Sequence, residues 1–147
     1  RNDERVEYAR AGDIVDVVLQ VGEDDFEELR RGEVLCGERD PVPRARRFRA
    51  LLTTHELAHP VLVGSRYTLH LGLQSESVVV RRILLQVAPQ RRAHPRLLPG
   101  RAAAHVELLA DGLLALERAE SFPRFGTFQL CEGYRTVGYG SVEELLA

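Results

Sequence analysis

Residues 121–142 read SFPRFGTFQLCEGYRTVGYGSV, and this stretch predicts a β-hairpin near the C-terminus. Phe128 and Leu130 alternate with polar residues, which is the period of a half-buried strand. Glu132 and Gly133 then mark a tight turn. The extended pattern that resumes after the turn is punctuated by glycines, and its strand-forming residues are Thr136, Val137, Tyr139 and Val142. The stretch therefore predicts two short strands joined by a tight turn.

Working outward, the chain after residue 41 predicts further strands at the regular spacing of a barrel or sandwich. The candidate strands are residues 47–54, 66–73, 77–87, 102–109, 113–116, 127–131 and 135–142. Residues 89–100 lie between the third and fourth candidate strands. They contain several prolines together with Arg91, Arg92 and Arg96, which indicates a protruding basic loop. No long helical period occurs. The pattern predicts an all-β fold.

The first 40 residues predict a different unit. Residues 5–9, 14–19 and 33–36 are typical of short strands, and residues 23–29 favour one helical turn with acids at its N-terminal end. These strands are too few to close a sheet, so we expect the back half of a small β-domain. Prolines at 41 and 43 form a stiff linker, which predicts domains at 1–40 and 41–147. The chain begins with Arg1 rather than Met, and we expect it to be a fragment of a longer protein.

Composition narrows the functional classes. With 147 residues and 44% hydrophobic content the chain has room for one packed domain, or one domain and part of another. No run approaches the roughly 18 apolar residues of a membrane span, so no membrane partner is expected. All 20 basic residues are arginine, and a phosphate-binding P-loop requires lysine. The chain itself is therefore predicted to bind no nucleotide through such a loop.

Charge is unevenly distributed along the chain. Residues 1–40 hold 13 acids and 6 arginines, whereas residues 41–135 hold 14 arginines and 7 acids. The change of sign coincides with the proline linker and supports a boundary there. A basic second part could face an acidic partner or RNA, and an ordinary solvated surface of mixed sign is an equal alternative.

Side chains that could carry chemistry do not form a recognisable set. His55 and His59 have a helical metal-ligand spacing but lie beside Pro60 at a strand end. Glu107 and Glu117 are expected on neighbouring strands, with nothing that makes them an acid and base pair. The two cysteines lack metal-ligand spacing and fit reduced cytosolic thiols, and two further histidines are expected to be partly buried; these are Cys36, Cys131, His70 and His105. We predict no catalytic residue and no metal site.

The hairpin resembles the last hairpin of domain III in translational GTPases of the EF-Tu type. That family has Gly-Arg-Phe, a strand, Arg followed by Asp or Glu, Gly, and then Thr-Val/Ile-x-x-Gly. The corresponding residues here are 126–128, 131–133 and 135–140. Earlier segments agree in order: residues 9–13 and 31–36 resemble the end of domain II, and residues 47–50 resemble the first strand of domain III. Thr127 and Cys131 stand where the family has arginines.

The resemblance is nearest to the Hbs-type ribosome-rescue GTPases and the related superkiller-type adaptor. The eukaryotic class II release factor and elongation factor 1-alpha come next. The resemblance implies an antiparallel domain III β-barrel preceded by the C-terminal half of a domain II barrel. It also implies a cytoplasmic parent protein whose upstream domain binds GTP and Mg²⁺, with neither cofactor held by this chain.

In this family, domains II and III grip a cargo, which is tRNA or a tRNA-shaped protein. The resemblance implies that this chain works at the ribosome and docks a Pelota-like or release-factor-like protein. The candidate contact is the turn formed by Glu132, Gly133, Tyr134 and Arg135, although Tyr134 would equally serve to cap the barrel. An adaptor between ribosomes and exosome-associated factors, and direct contact with tRNA or rRNA through Arg91, Arg92 and Arg96, are the alternatives.

Overall fold

The computed structural model of the chain describes residues 5–146, without the side chains of residues 26–28. Strands dominate it. In chain order the elements are α1 (Glu23–Glu28), β1 (Arg44–Thr54), β2 (Val61–Leu62), β3 (Arg66–Leu71), β4 (Gln74–Ala88), β5 (Arg92–Ala93), β6 (Leu97–Leu98), β7 (Ala103–Ala115), α2 (Pro123–Gly126), β8 (Thr127–Glu132) and β9 (Arg135–Leu146). None of the helices in the described part of the chain is long and apolar enough to cross a membrane.

Six antiparallel strands close into a barrel. Hydrogen bonds join them in the order β3, β8, β9, β1, β7 and β4, and the pairing of β3 with β4 completes the ring. The short strand β5 extends the sheet from β4, and β2 pairs with β6 as a separate ribbon. Closure leaves the six long strands without an unpaired edge. The all-β fold predicted from the strand spacing and the antiparallel barrel implied by the resemblance are both confirmed.

Alternation along the strands fills the barrel interior. Phe48 on β1 and Phe128 on β8 lie inside and contact each other edge to face, with ring centroids 5.9 Å apart. Aliphatic side chains from the other strands surround this pair, among them Leu69, Val80 and Leu108, which are fully buried. The residues between these positions point outward and are mostly polar, as expected for a sheet with one face in a core.

The antiparallel order sorts the connections between the two ends of the barrel. One end carries the connections at residues 55–65, 89–102 and 133–134. The other end carries the turn at residues 72–73, the connection at residues 116–126 and the start of β1. We refer to these as the turn end and the entry end. The predicted hairpin turn and the predicted basic loop therefore lie at the same end.

Strands β1 and β4 each begin three residues before their predicted bounds, and β7 and β9 depart further from theirs. Residues 102–109 and 113–116 were predicted as separate strands, but β7 runs unbroken through Asp111 and Gly112. Asp111 pairs with Arg66 at 2.8 Å, and the carboxylate of Glu76 covers Gly112. The final strand, β9, also continues past Val142, because its residues 144–146 pair with residues 47–49 of β1.

The segment before the barrel departs most from prediction. The helical turn forms as α1, but residues 5–9, 14–19 and 33–36 form no strands. A strand is held by hydrogen bonds to a neighbour, and no other segment among residues 5–146 offers these segments a partner. Ile14 and Val18 are consequently 101% and 98% exposed. Gly32 approaches the backbone of Leu73 and Gln74 at the entry end. The division at residues 40 and 41 stays a prediction.

Candidate partner-binding site

The turn between β8 and β9 is a tight two-residue turn. Glu132 and Arg135 face each other as the last strand pair, and Gly133 and Tyr134 form the loop. Gly133 has a φ of 58°, and a positive φ at the first central residue suits a type II′ hairpin turn. Glycine meets this requirement without the steric cost that a β-carbon would add. The sequence thereby fixes the direction in which Tyr134 leaves the barrel.

Tyr134 is fully exposed at the tip of this turn. Its relative exposure is 111%, so the ring covers none of the barrel and the capping alternative does not describe this structure. Glu132 and Arg135 are exposed beside it, and the three side chains line a shallow open depression. Tyrosine and arginine are both among the residue types enriched at the hot spots of protein interfaces.

Glu132 also connects the turn to the barrel wall. Burial raises the pKa of the Tyr67 phenol, the hydroxyl of Ser65 acts in the opposite direction, and the negative charge of Glu132 raises the pKa further. The pairing of β3 with β8 brings the two residues near each other, because Thr68 faces Cys131 and Tyr67 and Glu132 are their neighbours in sequence. This places an acid, a partly buried phenol and the exposed Tyr134 within one region at the turn end.

Close packing holds the hairpin against its neighbours. A β-carbon on Gly140 would lie 2.3 Å from the ring of Phe128, and one on Gly138 would lie 2.3 Å from the carbonyl oxygen of Thr53. Both glycines are therefore needed for the approach of β9 to the core and to β1. The glycine punctuation of the sequence reflects contact within the barrel, and it gives the turn a firm base.

The two residues that stand in for family arginines have structural contacts of their own. The hydroxyl of Thr127 donates a hydrogen bond of 2.8 Å to the carbonyl of Pro123 and so ties β8 to α2. Cys131 is buried, with its sulfur 3.9 Å from the hydroxyl of Thr136. The thiols of Cys131 and Cys36 are both free. Neither position presents a guanidinium to a partner.

The predicted basic loop is partly ordered by short strands. Arg92 lies on β5 and pairs with Gln86 of β4, whereas Arg91 and Arg96 flank this strand as exposed residues. Around the barrel, the strand β4, against which this loop pairs, is not a direct neighbour of either strand of the β8–β9 hairpin. The strand β4 is separated from β8 by β3, and from β9 by β7 and β1. The two candidate sites therefore lie on different strands, although both are at the turn end.

The structure adds two arginines that the sequence reasoning missed. Arg81 and Arg82 are both exposed, because the register of β4 against β7 shifts between Val80 and Arg82. The signal was available as two adjacent charges within an otherwise apolar strand, which cannot both point outward without an irregularity. Their strand leads directly into the basic loop.

Glu107 is the most deeply buried acid among the described residues. It is 2% exposed although it lies on the outward face of β7, because arginines cover it. Arg47 donates a hydrogen bond of 2.6 Å to its carboxylate. This bond holds the pKa of Glu107 below its ordinary value against the opposing effect of burial, with further help from Arg82 and Arg49. The group is committed to an ion pair and is not arranged as an acid or base.

Glu117, the other acid that was considered together with Glu107, does not lie on a strand beside it. Because β7 is continuous, Glu117 follows the end of the same strand and does not lie on a neighbouring one.

The histidines are spread over several elements. His55 and His59 lie in the connection after β1. His105 is half-buried and 2.9 Å from the carboxylate of Glu143, whereas His70 is exposed, contrary to prediction. Within residues 5–146 no group of three or more potential ligands could hold a metal ion.

The residues of this chain also do not fit a bound guanine nucleotide with Mg²⁺. The chain has no lysine for a P-loop, and Gly138 and Gly140 lie within β9 against Thr53 and Phe128, so these two glycines form no phosphate-binding loop. No step of a nucleotide reaction is assigned to this chain.

Comparison with known proteins places the barrel among translation factors. A family model described as GTP-eEF1A C-terminal domain-like matches residues 47–143. The elongation factor 1 alpha-like protein of Schizosaccharomyces pombe is 36% identical over 138 residues, which are 94% of this chain and 22% of that protein. The eukaryotic peptide chain release factor GTP-binding subunit of Kluyveromyces lactis is 24% identical over 134 residues, 88% of this chain and 19% of that protein.

Solved structures show the same architecture. Sup35 complexed with GDP has a TM-score of 0.77 at 25% identity, and Sup35 complexed with GMPPNP has a TM-score of 0.78 at 24% identity. Each likeness covers 86% of this chain and 31% of the solved chain. This chain thus spans about a fifth of the length of its curated relatives.

Proposed function

Because this chain belongs to the GTP-eEF1A C-terminal domain-like family, we propose that it is the binding module of a translational GTPase acting in ribosome rescue and mRNA surveillance. In this role the module is not catalytic and works in the cytoplasm at the ribosome. The GTP and Mg²⁺ of the parent protein belong to another domain. The cargo is a tRNA-shaped protein of the Pelota-like or release-factor-like kind.

The observation that carries the proposal is the fully exposed Tyr134 on a turn whose base is fixed. A rigid aromatic side chain loses little conformational entropy when a partner covers it. Arg135 adds a guanidinium for a carboxylate or a carbonyl of the partner. Glu132 adds a charge of the opposite sign, which favours one orientation of the partner over others. The turn therefore combines an aromatic anchor with two opposite charges that fix the orientation of the partner.

A protein cargo suits this turn better than a nucleic acid. Glu132 and Arg135 cancel in charge, so the turn offers no net attraction for phosphate. Thr127 and Cys131 replace the arginines of the family pattern and reduce the positive charge of the hairpin further. A tRNA-binding barrel, as in an elongation factor, is accordingly the weaker alternative.

The test is a pull-down of Pelota-like and release-factor-like proteins with the wild type and with the double variant Tyr134→Ala/Arg135→Ala. We expect the double variant to lose at least tenfold in affinity, since truncating an interface anchor costs about 2 kcal/mol or more. The matched control is Tyr8→Ala/Arg10→Ala, which removes another exposed tyrosine beside an arginine. The control should retain the partner.

Two outcomes would contradict the proposal. Equal retention by the wild type and the turn variant would remove the turn from the contact. Retention of neither protein by the wild type would remove the function, and binding of exosome-associated factors in their place would favour the adaptor. The sequence of the upstream domain distinguishes the same alternatives, because intact guanine-nucleotide motifs favour a GTPase and decayed motifs favour an adaptor.

A further inference from the structure

We propose that a second surface of the barrel, separate from the β8–β9 turn, binds the phosphate backbone of double-stranded RNA. We call this surface the arginine strip, and its residues are Arg81, Arg82, Arg91, Arg92 and Arg96. The proposal goes beyond the docking of a protein cargo. It rests on different residues from the turn and stands or falls independently of it.

The first argument is the local absence of acids. Residues 77–106 contain six arginines and neither aspartate nor glutamate. Arg101 forms an ion pair of 2.7 Å with Glu56, but across residues 5–146 none of the five strip arginines takes part in an ion pair. Glu107, which faces Arg82 across the β4–β7 pair, is bound by Arg47 and also offsets part of the charge of Arg82. The uncompensated charge of the strip therefore lies mainly with Arg81, Arg91, Arg92 and Arg96. Uncompensated charge of one sign creates a potential that attracts polyanions.

The second argument is that the backbone of the strip is ordered before binding. Arg92 pairs with Gln86 through β5. The backbone N–H of His94 donates to the carbonyl of Leu84 at 3.0 Å, and the carbonyl of Arg96 accepts a hydrogen bond of 3.1 Å from Val63. His94 holds a left-handed φ of 46°, a conformation that costs energy unless neighbours enforce it. A preorganised surface loses less entropy on binding.

The third argument concerns the extent of the strip. Gln86 faces Arg92 across the β4–β5 pair, and Arg82 precedes Gln86 by four residues. At a rise of about 3.3 Å per residue, the strip runs roughly 13 Å along β4 before it reaches the loop. Charges spread over this length contact several phosphates at once, which is the arrangement that gives strong and salt-dependent binding.

The choice of double-stranded RNA follows from what the strip lacks. Residues 77–106 contain no phenylalanine, tyrosine or tryptophan. Proteins that bind single strands use such rings as stacking platforms for bases, and protein interfaces use them as anchors. An A-form duplex presents its backbone without requiring bases to be unstacked or read, so it suits a surface that offers guanidinium groups alone.

The experiment measures binding of the whole 147-residue chain to a labelled RNA duplex of about 16 base pairs over a range of salt concentrations. For the wild type, the logarithm of the affinity should fall linearly with the logarithm of the salt concentration. The variant Arg91→Gln/Arg92→Gln/Arg96→Gln should lower the magnitude of that slope by about 2 to 3, which corresponds to three lost phosphate contacts. The variant Arg81→Gln/Arg82→Gln should lower it by about 1 to 2.

The control Arg31→Gln/Arg39→Gln/Arg124→Gln changes the net charge equally and should keep the wild-type slope, since these exposed arginines lie outside the strip. Absence of duplex binding by the wild type at low salt would overturn the proposal. A slope lowered equally in the control would also overturn it, because binding would then follow net charge alone. Tighter binding to polyglutamate or to the single strand than to the duplex would assign the strip to another kind of partner.

Discussion

Glu107 shows how a single residue can be buried on the outside of a barrel. Its carboxylate lies against Arg47 at 2.6 Å, and the arginine holds the pKa of Glu107 below its ordinary value. A carboxyl group whose pKa is lower in the folded state stabilises the fold above its unfolded pKa, which is about 4.3. That contribution is lost as the pH falls through the lower, folded value.

We therefore predict that Glu107→Gln lowers the free energy of unfolding at neutral pH by about 1–3 kcal/mol, because the variant leaves the buried hydrogen-bonding site imperfectly matched. The variant should also lose less stability than the wild type when the pH is lowered from 7 to about 3. Urea unfolding followed by circular dichroism at the two pH values measures both effects.

Glu144 provides the comparison for Glu107. It pairs with Arg49 at 2.7 Å, but half of its side chain is exposed. Ion pairs of this kind contribute little, so Glu144→Gln should change the stability by less than about 0.5 kcal/mol at either pH. Parallel pH dependence in the wild type and Glu107→Gln would show that the buried pair does not govern acid unfolding.

At the scale of elements, the β8–β9 hairpin is the feature that the sequence predicted best. Alternation and turn chemistry placed both strands, since each depends on neighbouring residues. The role of the glycines could not be read from the sequence. Gly140 makes room for the ring of Phe128, and Gly138 for the backbone of β1, and both contacts join residues distant in the chain.

We predict that Gly140→Ala destabilises the barrel by about 1–3 kcal/mol, because a methyl group would overlap the ring of Phe128 and displace it from the core. Thermal unfolding measures the loss. The control is Gly37→Ala, since a β-carbon there meets no atom within 4 Å. An unchanged unfolding temperature for Gly140→Ala would mean that the hairpin can move away from the core without cost.

Other elements show where local pattern fails. Asp111 and Gly112 are typical of a turn, yet β7 passes through them because Arg66 and Glu76 come from other strands to contact them. The exposure of both Arg81 and Arg82 likewise depends on a register shift between β4 and β7. These features arise from contacts between strands. The two adjacent charges signal an irregularity in β4, but a single sequence does not show which strand pairs with it or where the register shifts.

At the scale of the whole molecule, the spacing of strands predicted a barrel or a sandwich, but it could not predict which strands pair to close a barrel. Closure depends on the pairing of β3 with both β4 and β8. Residues 5–40 show the opposite case, in which the sequence predicts strands that do not form. The β-branched residues of this segment have strand propensity, but propensity alone does not make a sheet. Ile14 and Val18 therefore remain exposed until some other segment pairs with them.

The barrel should fold without that segment. Every residue of the buried core lies between Ala45 and Val142, and Gly32 approaches the barrel at Leu73 and Gln74 of the entry end. We predict that a variant comprising residues 41–147 unfolds cooperatively, with a midpoint within about 5 °C of the full chain, which corresponds to about 1 kcal/mol.

A variant comprising residues 51–147 is the control for this truncation. It lacks Phe48 and half of β1, and the loss of a buried aromatic residue and of paired backbone should prevent cooperative unfolding. Circular dichroism during a thermal scan distinguishes the two variants. If residues 41–147 also fail to unfold cooperatively, the acidic segment is part of the same folding unit, and the boundary predicted between residues 40 and 41 is wrong.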